Sequence, residues 1–204
     1  MSKKLIIVGC GGHAKVVTDI AMKCGYQDIG FLDDFYLEDT FINFPVLGKV
    51  DDAKKYSSAD FFIAIGNANV RKKIYLDFIE KEFNIINLIH PAAVIASDVE
   101  IGVGTVVMAG TVINPSAKIG KGCIINTSAS VDHDCTVGDF SHISVGAHIA
   151  GTVNIGNNVW IGAGATVSNN INIVENCMVG AGAVVVKNLT DPGTYVGVPA
   201  QKIK

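Results

Sequence analysis

A histidine between two aspartates is the strongest candidate for proton transfer in this chain. The run Asp132-His133-Asp134 places an imidazole beside two carboxylates, either of which could fix its tautomer and raise its basicity. Such a histidine can act as a general base that takes the proton from an attacking amine or hydroxyl. These residue types make His133 a candidate for a general base.

A glycine turn near the N-terminus could hold a phosphate group. Gly9, Gly11 and Ala14 have the spacing of a dinucleotide fingerprint, and Asp33-Asp34 follows about 20 residues later. Glycine lets the backbone approach phosphate, and the start of a helix favours negative charge. Only half of a dinucleotide fold fits before the next domain, so we favour a single nucleotide over NAD. The alternative is a structural turn that binds nothing.

Composition excludes several classes of function. The net charge is −3 and there is no run of Lys or Arg, which argues against nucleic acid as a partner. Five cysteines without a CxxC pair suggest reduced thiols. Apolar stretches are interrupted well before the length of a membrane span, and the N-terminus leads directly into a strand-like run. We expect a cytoplasmic protein with neither a signal peptide nor a membrane span.

The first 90 residues have the pattern of an α/β domain. Strand-like runs at 5–8, 29–32 and 61–65 alternate with helical runs at 15–24 and 69–83. Asp33-Asp34 and Gly66-Asn67 follow the second and third strands directly. Ligands bind beyond the carboxyl ends of the strands in such units. We predict a Rossmann-like βαβαβ domain over residues 1–90, with its ligand at these turns.

The rest of the chain is a hexapeptide repeat. From Ile95 to Val185 an aliphatic residue occupies every sixth position, and four residues later the position is mostly small. This period is typical of a parallel β-helix, in which three hexapeptides close one coil. Cys123, Cys135 and Cys177 occupy the small position, so packing explains them better than nucleophilic chemistry. We predict a β-helix with a C-terminal cap over residues 91–204.

Coil spacing separates the three histidines of the repeat. Gly151 lies 18 residues after His133, which places it one coil above, at a strand spacing of about 4.8 Å. His142 lies half a coil from His133, so the two can converge only across a subunit interface. His148 is more simply read as a solvated surface residue.

Two resemblances add to this interpretation. The repeat and the closing run Val196-Gly197-Val198-Pro199-Ala200 resemble the hexapeptide-repeat acyltransferases, which implies a left-handed β-helix and a trimer. The whole chain, including the glycine turn and the linker His90-Pro91, resembles the sialic acid O-acetyltransferase and bacillosamine N-acetyltransferase group. Membership implies acetyl-CoA as co-substrate, no metal, a nucleotide-linked amino sugar, and a homotrimer with active sites between subunits.

The resemblance also implies roles for individual residues. It makes His133 and Asp134 catalytic, with His142 and Gly151 contacting acetyl-CoA. The residues it places around the nucleotide or its sugar are Gly11, Gly12, His13, Asp33, Asp34, Asn67 and Asn126.

The implied reaction is N-acetylation of a UDP-linked 4-amino-4,6-dideoxy sugar, UDP-2-acetamido-4-amino-2,4,6-trideoxyglucose. Three alternatives stay open: sialic acid O-acetylation, a non-catalytic nucleotide-sugar binder, and a gamma-type carbonic anhydrase with zinc at a subunit interface. His142 and His148 lie six residues apart on adjacent faces, which does not suit two zinc ligands from one chain. The sequence does not identify the nucleotide. It also does not distinguish a 3-amino sugar from a 4-amino sugar.

Overall fold

The computed structural model describes residues 3–204, which form two compact units, residues 3–90 and Pro91–Lys204. The first unit is an α/β domain built around a parallel sheet with the strand order β2-β1-β5-β6. Strands β1, β2 and β5 are buried along their whole length and are mostly aliphatic or aromatic, with Gly30 and Asp60 as the exceptions, as expected for a sheet covered on both faces. The elements of this unit are β1 (Leu5–Val8), α1 (Gly12–Lys23), β2 (Ile29–Leu32), β3 (Thr40–Phe41), β4 (Phe44–Pro45), a 3-10 helix (Val50–Tyr56), β5 (Asp60–Ile63), α2 (Ala68–Glu80), β6 (Asn84–Ile85) and β7 (Leu88–Ile89).

The predicted βαβαβ order is present, with two differences in detail. Helix α1 begins at Gly12 rather than at Lys15, so the glycine turn supplies the first turn of the helix. The hairpin of β3 and β4, the 3-10 helix and β6 were not predicted, because their short runs carry no clear period. Gly9 makes the turn possible: its φ is +110°, and a Cβ there would lie 3.1 Å from the carbonyl oxygen of Ala64.

The second unit is a parallel β-helix on three faces, and most of its strands are two residues long. The β10 face contains β10 (Val106–Val107), β13 (Ile124–Ile125), β16 (His142–Ile143), β19 (Trp160–Ile161), β22 (Cys177–Val179), β24 (Gly193–Val196) and β25 (Gln201–Lys202). The β8 face contains β8 (Val94–Ile95), β11 (Val112–Ile113), β14 (Ser130–Val131), β17 (His148–Ile149), β20 (Thr166–Val167) and β23 (Val184–Val185). The β9 face contains β9 (Glu100–Ile101), β12 (Lys118–Ile119), β15 (Thr136–Val137), β18 (Asn154–Ile155) and β21 (Asn172–Ile173).

Each coil contains 18 residues, because paired residues such as Val131 and Ile149 are separated by that number. The aliphatic residue of every repeat from Val107 to Val185 is at most 4% exposed. Burial of each such side chain contributes about 1.5–3 kcal/mol. Val196 of β24 pairs antiparallel with Gln201 of β25, so the last strands reverse direction at the end of the helix. The predicted fold class, an α/β unit followed by a hexapeptide β-helix, is confirmed.

The corners of the coils have a regular backbone geometry. Every sixth residue from Gly104 to Gly182 has a positive φ, and these positions are mostly Gly, Asn, Asp or Ser. The three repeat cysteines are buried, as predicted for packing residues, and burial raises the pKa of the Cys135 and Cys177 thiols. No helix within residues 3–204 is long and apolar enough to cross a membrane.

Candidate active site

His133 lies in the turn after β14, where the chain passes from the β8 face to the β9 face. Its side chain is 57% exposed, and its Nδ1 lies 2.8 Å from Oδ2 of Asp134. A carboxylate can only accept a hydrogen bond, so Nδ1 carries the hydrogen in this contact. In the neutral ring Nε2 is then the basic nitrogen.

The two flanking aspartates have different structural roles. Oδ1 of Asp132 accepts from the backbone N–H of His133 at 2.7 Å and from the side-chain amide of Asn114 at 2.7 Å. Asp132 therefore fixes the turn, whereas Asp134 contacts the ring. Asp134 occupies a left-handed corner with φ 57°, a conformation that aspartate adopts more readily than most residues.

Both carboxylates strengthen His133 as a base. The hydrogen bond to Asp134 raises the pKa of His133, and the nearby negative charge of Asp132 raises it further. Because the imidazole is a base only when neutral, activity that depends on it is expected to appear above this raised pKa and to fall as the pH drops through it.

Gly151 lies directly against the ring of His133. A Cβ on Gly151 would lie 2.6 Å from Nε2 and 2.7 Å from Cε1 of His133. This distance is below any normal contact, so a side chain at position 151 would displace the ring. The coil spacing that predicted this proximity is therefore correct, and glycine is needed there to leave the basic nitrogen in place.

His142 belongs to a second cluster, on the β10 face. Its ring stacks on the indole of Trp160 in the next coil, with ring centroids 5.4 Å apart and an interplanar angle of 21°. Its Nε2 lies 3.1 Å from Nδ2 of Asn126. The indole N–H of Trp160 donates to Oγ of Ser144 at 2.6 Å. Asn126 and His142, predicted separately, are thus brought together.

His148 lies on the β8 face, where its Nδ1 is 2.9 Å from Oγ of Ser130. The histidines at 133, 142 and 148 therefore occupy one corner and two different faces, each with its own partners. Within residues 3–204, no three His, Cys, Asp or Glu side chains are grouped so that they could hold a metal ion.

In the first unit, the predicted ligand residues lie at the carboxyl ends of β1, β2 and β5. Gly11 is the N-cap of α1 and Gly12 is its first residue, and no side chain caps the helix. A Cβ on either glycine would meet no atom within 4 Å. The first turn of α1 therefore has open space beside it, and unpaired N–H groups at a helix start are suited to an anion.

The side chain of Asp33 is occupied by backbone groups. Its Oδ2 accepts from the N–H of Cys10 at 2.8 Å, and its Oδ1 accepts from Phe35 at 2.8 Å and Tyr36 at 3.0 Å. Asp34 uses Oδ1 to accept from the N–H of Val50 at 2.9 Å. Asp33 thus ties the glycine turn to the loop after β2.

His13 follows the glycine turn and is kept neutral. Its Nε2 is buried without a hydrogen-bond partner. Burial lowers the pKa of His13 to about 4, and the positive charge of Arg71 contributes. Arg71 is 2% exposed and donates to the carbonyl oxygens of Ile65 at 2.7 Å and Gly66 at 2.9 Å. At neutral pH His13 can offer a hydrogen bond but not a charge.

Asn67 is the N-cap of α2. Its Oδ1 accepts from the backbone N–H groups of Asn69 at 3.0 Å and Val70 at 3.1 Å. This is the usual capping arrangement, so the side chain has a clear structural role at the position where a ligand contact was predicted.

Sequence reasoning missed Trp160 and Arg71. Trp160 lies 18 residues after His142, so coil spacing would have identified it as the neighbour of that histidine. No sequence pattern indicates that Arg71 is buried, because an arginine on an amphipathic helix is normally solvated.

Comparisons with known proteins cover both units. The family model of the PglD N-terminal domain matches residues 4–78. The acetyltransferase domain of PglB from Neisseria gonorrhoeae, solved with acetyl coenzyme A, is 37% identical with a TM-score of 0.96, and the match covers 100% of both chains. A variant of perosamine N-acetyltransferase from Caulobacter crescentus, solved with CoA and GDP-perosamine, is 35% identical with a TM-score of 0.94, covering 98% of this chain and 97% of that chain.

Curated relatives match over a shorter part. UDP-N-acetylbacillosamine N-acetyltransferase from Bacillus subtilis is 35% identical over 112 residues, which is 52% of each chain. An uncharacterized protein of Acanthamoeba polyphaga mimivirus is 36% identical over 107 residues, or 52% of this chain. The chain spans 52% and 21% of the lengths of these two relatives.

Proposed function

This chain belongs to the family of hexapeptide-repeat, acetyl-CoA-dependent sugar N-acetyltransferases, and from that premise we propose that it acetylates the 4-amino group of a UDP-linked 4-amino-4,6-dideoxy sugar. The observation that carries the proposal is the ring of His133, whose Nδ1 is bound by Asp134 while Nε2 lies against Gly151. The similarity to a domain solved with acetyl coenzyme A supports the donor. The GDP-perosamine complex and the curated bacillosamine enzyme support a nucleotide-linked acceptor.

In the proposed reaction His133 is the general base. The amine nitrogen attacks the thioester carbonyl carbon, and Nε2 of His133 takes a proton from that nitrogen as the C–N bond forms. The tetrahedral intermediate collapses by breaking the C–S bond, and the imidazolium returns its proton to the thiolate. The products are an acetamido sugar and free CoA thiol. The backbone N–H of Gly151 and the side chain of His142 are the proposed partners of the oxyanion.

The first unit is the proposed nucleotide-sugar site. The start of α1 at Gly11 and Gly12 would bind the diphosphate through backbone N–H groups. His13 would donate or accept a hydrogen bond as a neutral ring, since its pKa of about 4 excludes a cation at neutral pH. Asp34 and Asn67 are the remaining proposed contacts, while Asp33 would act by holding the turn.

The proposed assembly is a homotrimer with composite active sites. Asp134, His133 and Gly151 meet at one corner, whereas Asn126 and His142 meet on the β10 face. Both groups can act on one thioester if a corner of one subunit meets the β10 face of its neighbour. Cyclic symmetry would repeat that contact at each interface.

Thiol release from acetyl-CoA tests the proposal directly. We expect release with UDP-linked 4-amino sugars, slower release with GDP- or dTDP-linked ones, and none when the amine is already acetylated. Mass spectrometry of the product identifies the acetylated atom. Sialic acid is assayed in parallel as the acceptor for O-acetylation. Calorimetry with the same sugars identifies a pure binder, which would bind them without releasing thiol. Absence of release with every amino sugar would contradict the proposal.

A further inference from the structure

We propose that Asn126 and Trp160 are positioning residues that hold His142 as the neutral tautomer protonated at Nδ1, so that His142 serves as a hydrogen-bond donor. The identity of its acceptor, the thioester oxygen, rests on the proposed function. The tautomer itself is a property of this chain alone and can be measured without substrate.

The orientation of the Asn126 amide determines the tautomer. Its Oδ1 accepts from the backbone N–H of Thr127 at 2.8 Å, which leaves Nδ2 facing His142. Nδ2 lies 3.1 Å from Nε2 of His142. An amide nitrogen can only donate, so Nε2 must accept and cannot carry a hydrogen. In the neutral ring the hydrogen is therefore on Nδ1.

Trp160 keeps the ring in this orientation. The two side chains project from strands paired in register, and their rings lie 5.4 Å apart with a 21° interplanar angle. The indole is held in turn by its N–H donation to Ser144 at 2.6 Å. A flip of the imidazole would put Cε1 in the place of Nε2 and break the bond to Asn126, and a tilt would break the stack.

The two histidines then have opposite chemistry set by opposite partners. A carboxylate at Nδ1 of His133 leaves Nε2 as a proton acceptor. An amide donor at Nε2 of His142 leaves Nδ1–H as a donor. A base and an oxyanion donor are the two groups that acyl transfer to an amine requires.

Nitrogen NMR of the histidine side chains in the full-length protein tests the tautomer. The His142 signals are assigned by their loss in His142→Gln. We expect an unprotonated Nε2 and a protonated Nδ1 in the wild type. In Asn126→Asp a carboxylate faces Nε2, so that nitrogen should become protonated. A wild-type Nε2 that already carries a proton would overturn the proposal.

Kinetics test the donor role, with circular dichroism and the melting temperature as the check on folding, because the Trp160 variants lack the single tryptophan of the sequence. We expect Asn126→Asp to lower kcat about 10²-fold with little change in the KM for the sugar. Trp160→Phe keeps a stacked ring and should retain more kcat than Trp160→Ala. Equal losses of kcat in Trp160→Phe and Trp160→Ala would overturn the proposal. A changed tautomer with an unchanged kcat in Asn126→Asp would also overturn it. If the wild type acetylates no amino sugar, the proposed function fails while the NMR result still decides the tautomer.

Discussion

At the scale of single residues, the candidate chemistry depends on which neighbour each ring nitrogen of His133 has. Asp134 contacts Nδ1, and Asp132 holds the backbone N–H instead. The sequence left either aspartate as the orienting partner, because both are adjacent to the histidine. The left-handed corner at Asp134 is a backbone feature that adjacency alone does not reveal.

Removing the charge of Asp134 should change the pH dependence of the reaction. Asp134 raises the pKa of His133 by stabilising the imidazolium, so Asp134→Asn should lower that pKa. The acidic limb of the kcat/KM profile should therefore move to lower pH, while the maximum rate falls about 10- to 100-fold because a neutral amide orients the ring and stabilises the imidazolium less well than a carboxylate. Asp132→Asn is the comparison, with a smaller shift expected. A limb that moves to higher pH would contradict this assignment.

A methyl group at position 151 should reduce activity without unfolding the protein. In Gly151→Ala the new Cβ would meet the exposed ring of His133, which can move away. We expect kcat to fall at least about 10-fold, since misplacement of a catalytic group by about 1 Å is costly, with an almost unchanged melting temperature. In the control Gly138→Ala, the Cβ would lie 2.5 Å from the backbone of Gly156, so the melting temperature should fall. The reverse pattern would show that Gly151 matters only for packing.

At the scale of elements, the repeat was predictable because every coil packs the same types of side chain at the same positions. An inward aliphatic residue recurs in every hexapeptide and a small residue follows four positions later in most of them, so the period appears directly in the sequence. Coil spacing even located the contact between His133 and Gly151. The contact between Asn126 and His142 spans 16 residues and depends on side-chain direction, which the period does not give.

The turns of the first unit were less predictable for a related reason. Asp33 was expected to face a ligand, yet its oxygens bind three backbone N–H groups. Asn67 caps α2 in the same way. Polar residues at turns serve backbone and ligands alike, and the sequence does not say which.

Adjacent residues of β15 test the register of the coil. Val137 points inward and is 1% exposed, whereas Thr136 points outward. Val137→Asp would bury an unpaired carboxylate and should destabilise the protein by about 3–5 kcal/mol, while Thr136→Asp should stay within about 0.5 kcal/mol. Chemical denaturation of both variants measures the difference. Equal free energies of unfolding would contradict the register.

At the scale of the whole molecule, the separation of His133 and His142 predicts that subunits share active sites. Chains with His133→Ala and chains with His142→Ala should each retain about 1% of wild-type activity or less at pH 7, but mixed trimers would contain some sites with both histidines intact. Random assortment makes these about a quarter of all sites, so about a quarter of wild-type activity should return. Mixing His133→Ala with His133→Gln is the control and should restore none. If exchange is verified by native mass spectrometry and no activity returns, the composite site is wrong.

The most direct measurement is the rate of CoA thiol release by His133→Ala at pH 7, with the amino sugar that serves the wild type best. We predict a fall in kcat of about 10²–10⁴, the usual contribution of a positioned base, with both KM values nearly unchanged. Activity should partly return at higher pH, because more of the sugar amine is then deprotonated without the enzyme. Wild-type turnover by His133→Ala at pH 7 would contradict the assignment of His133 as the base.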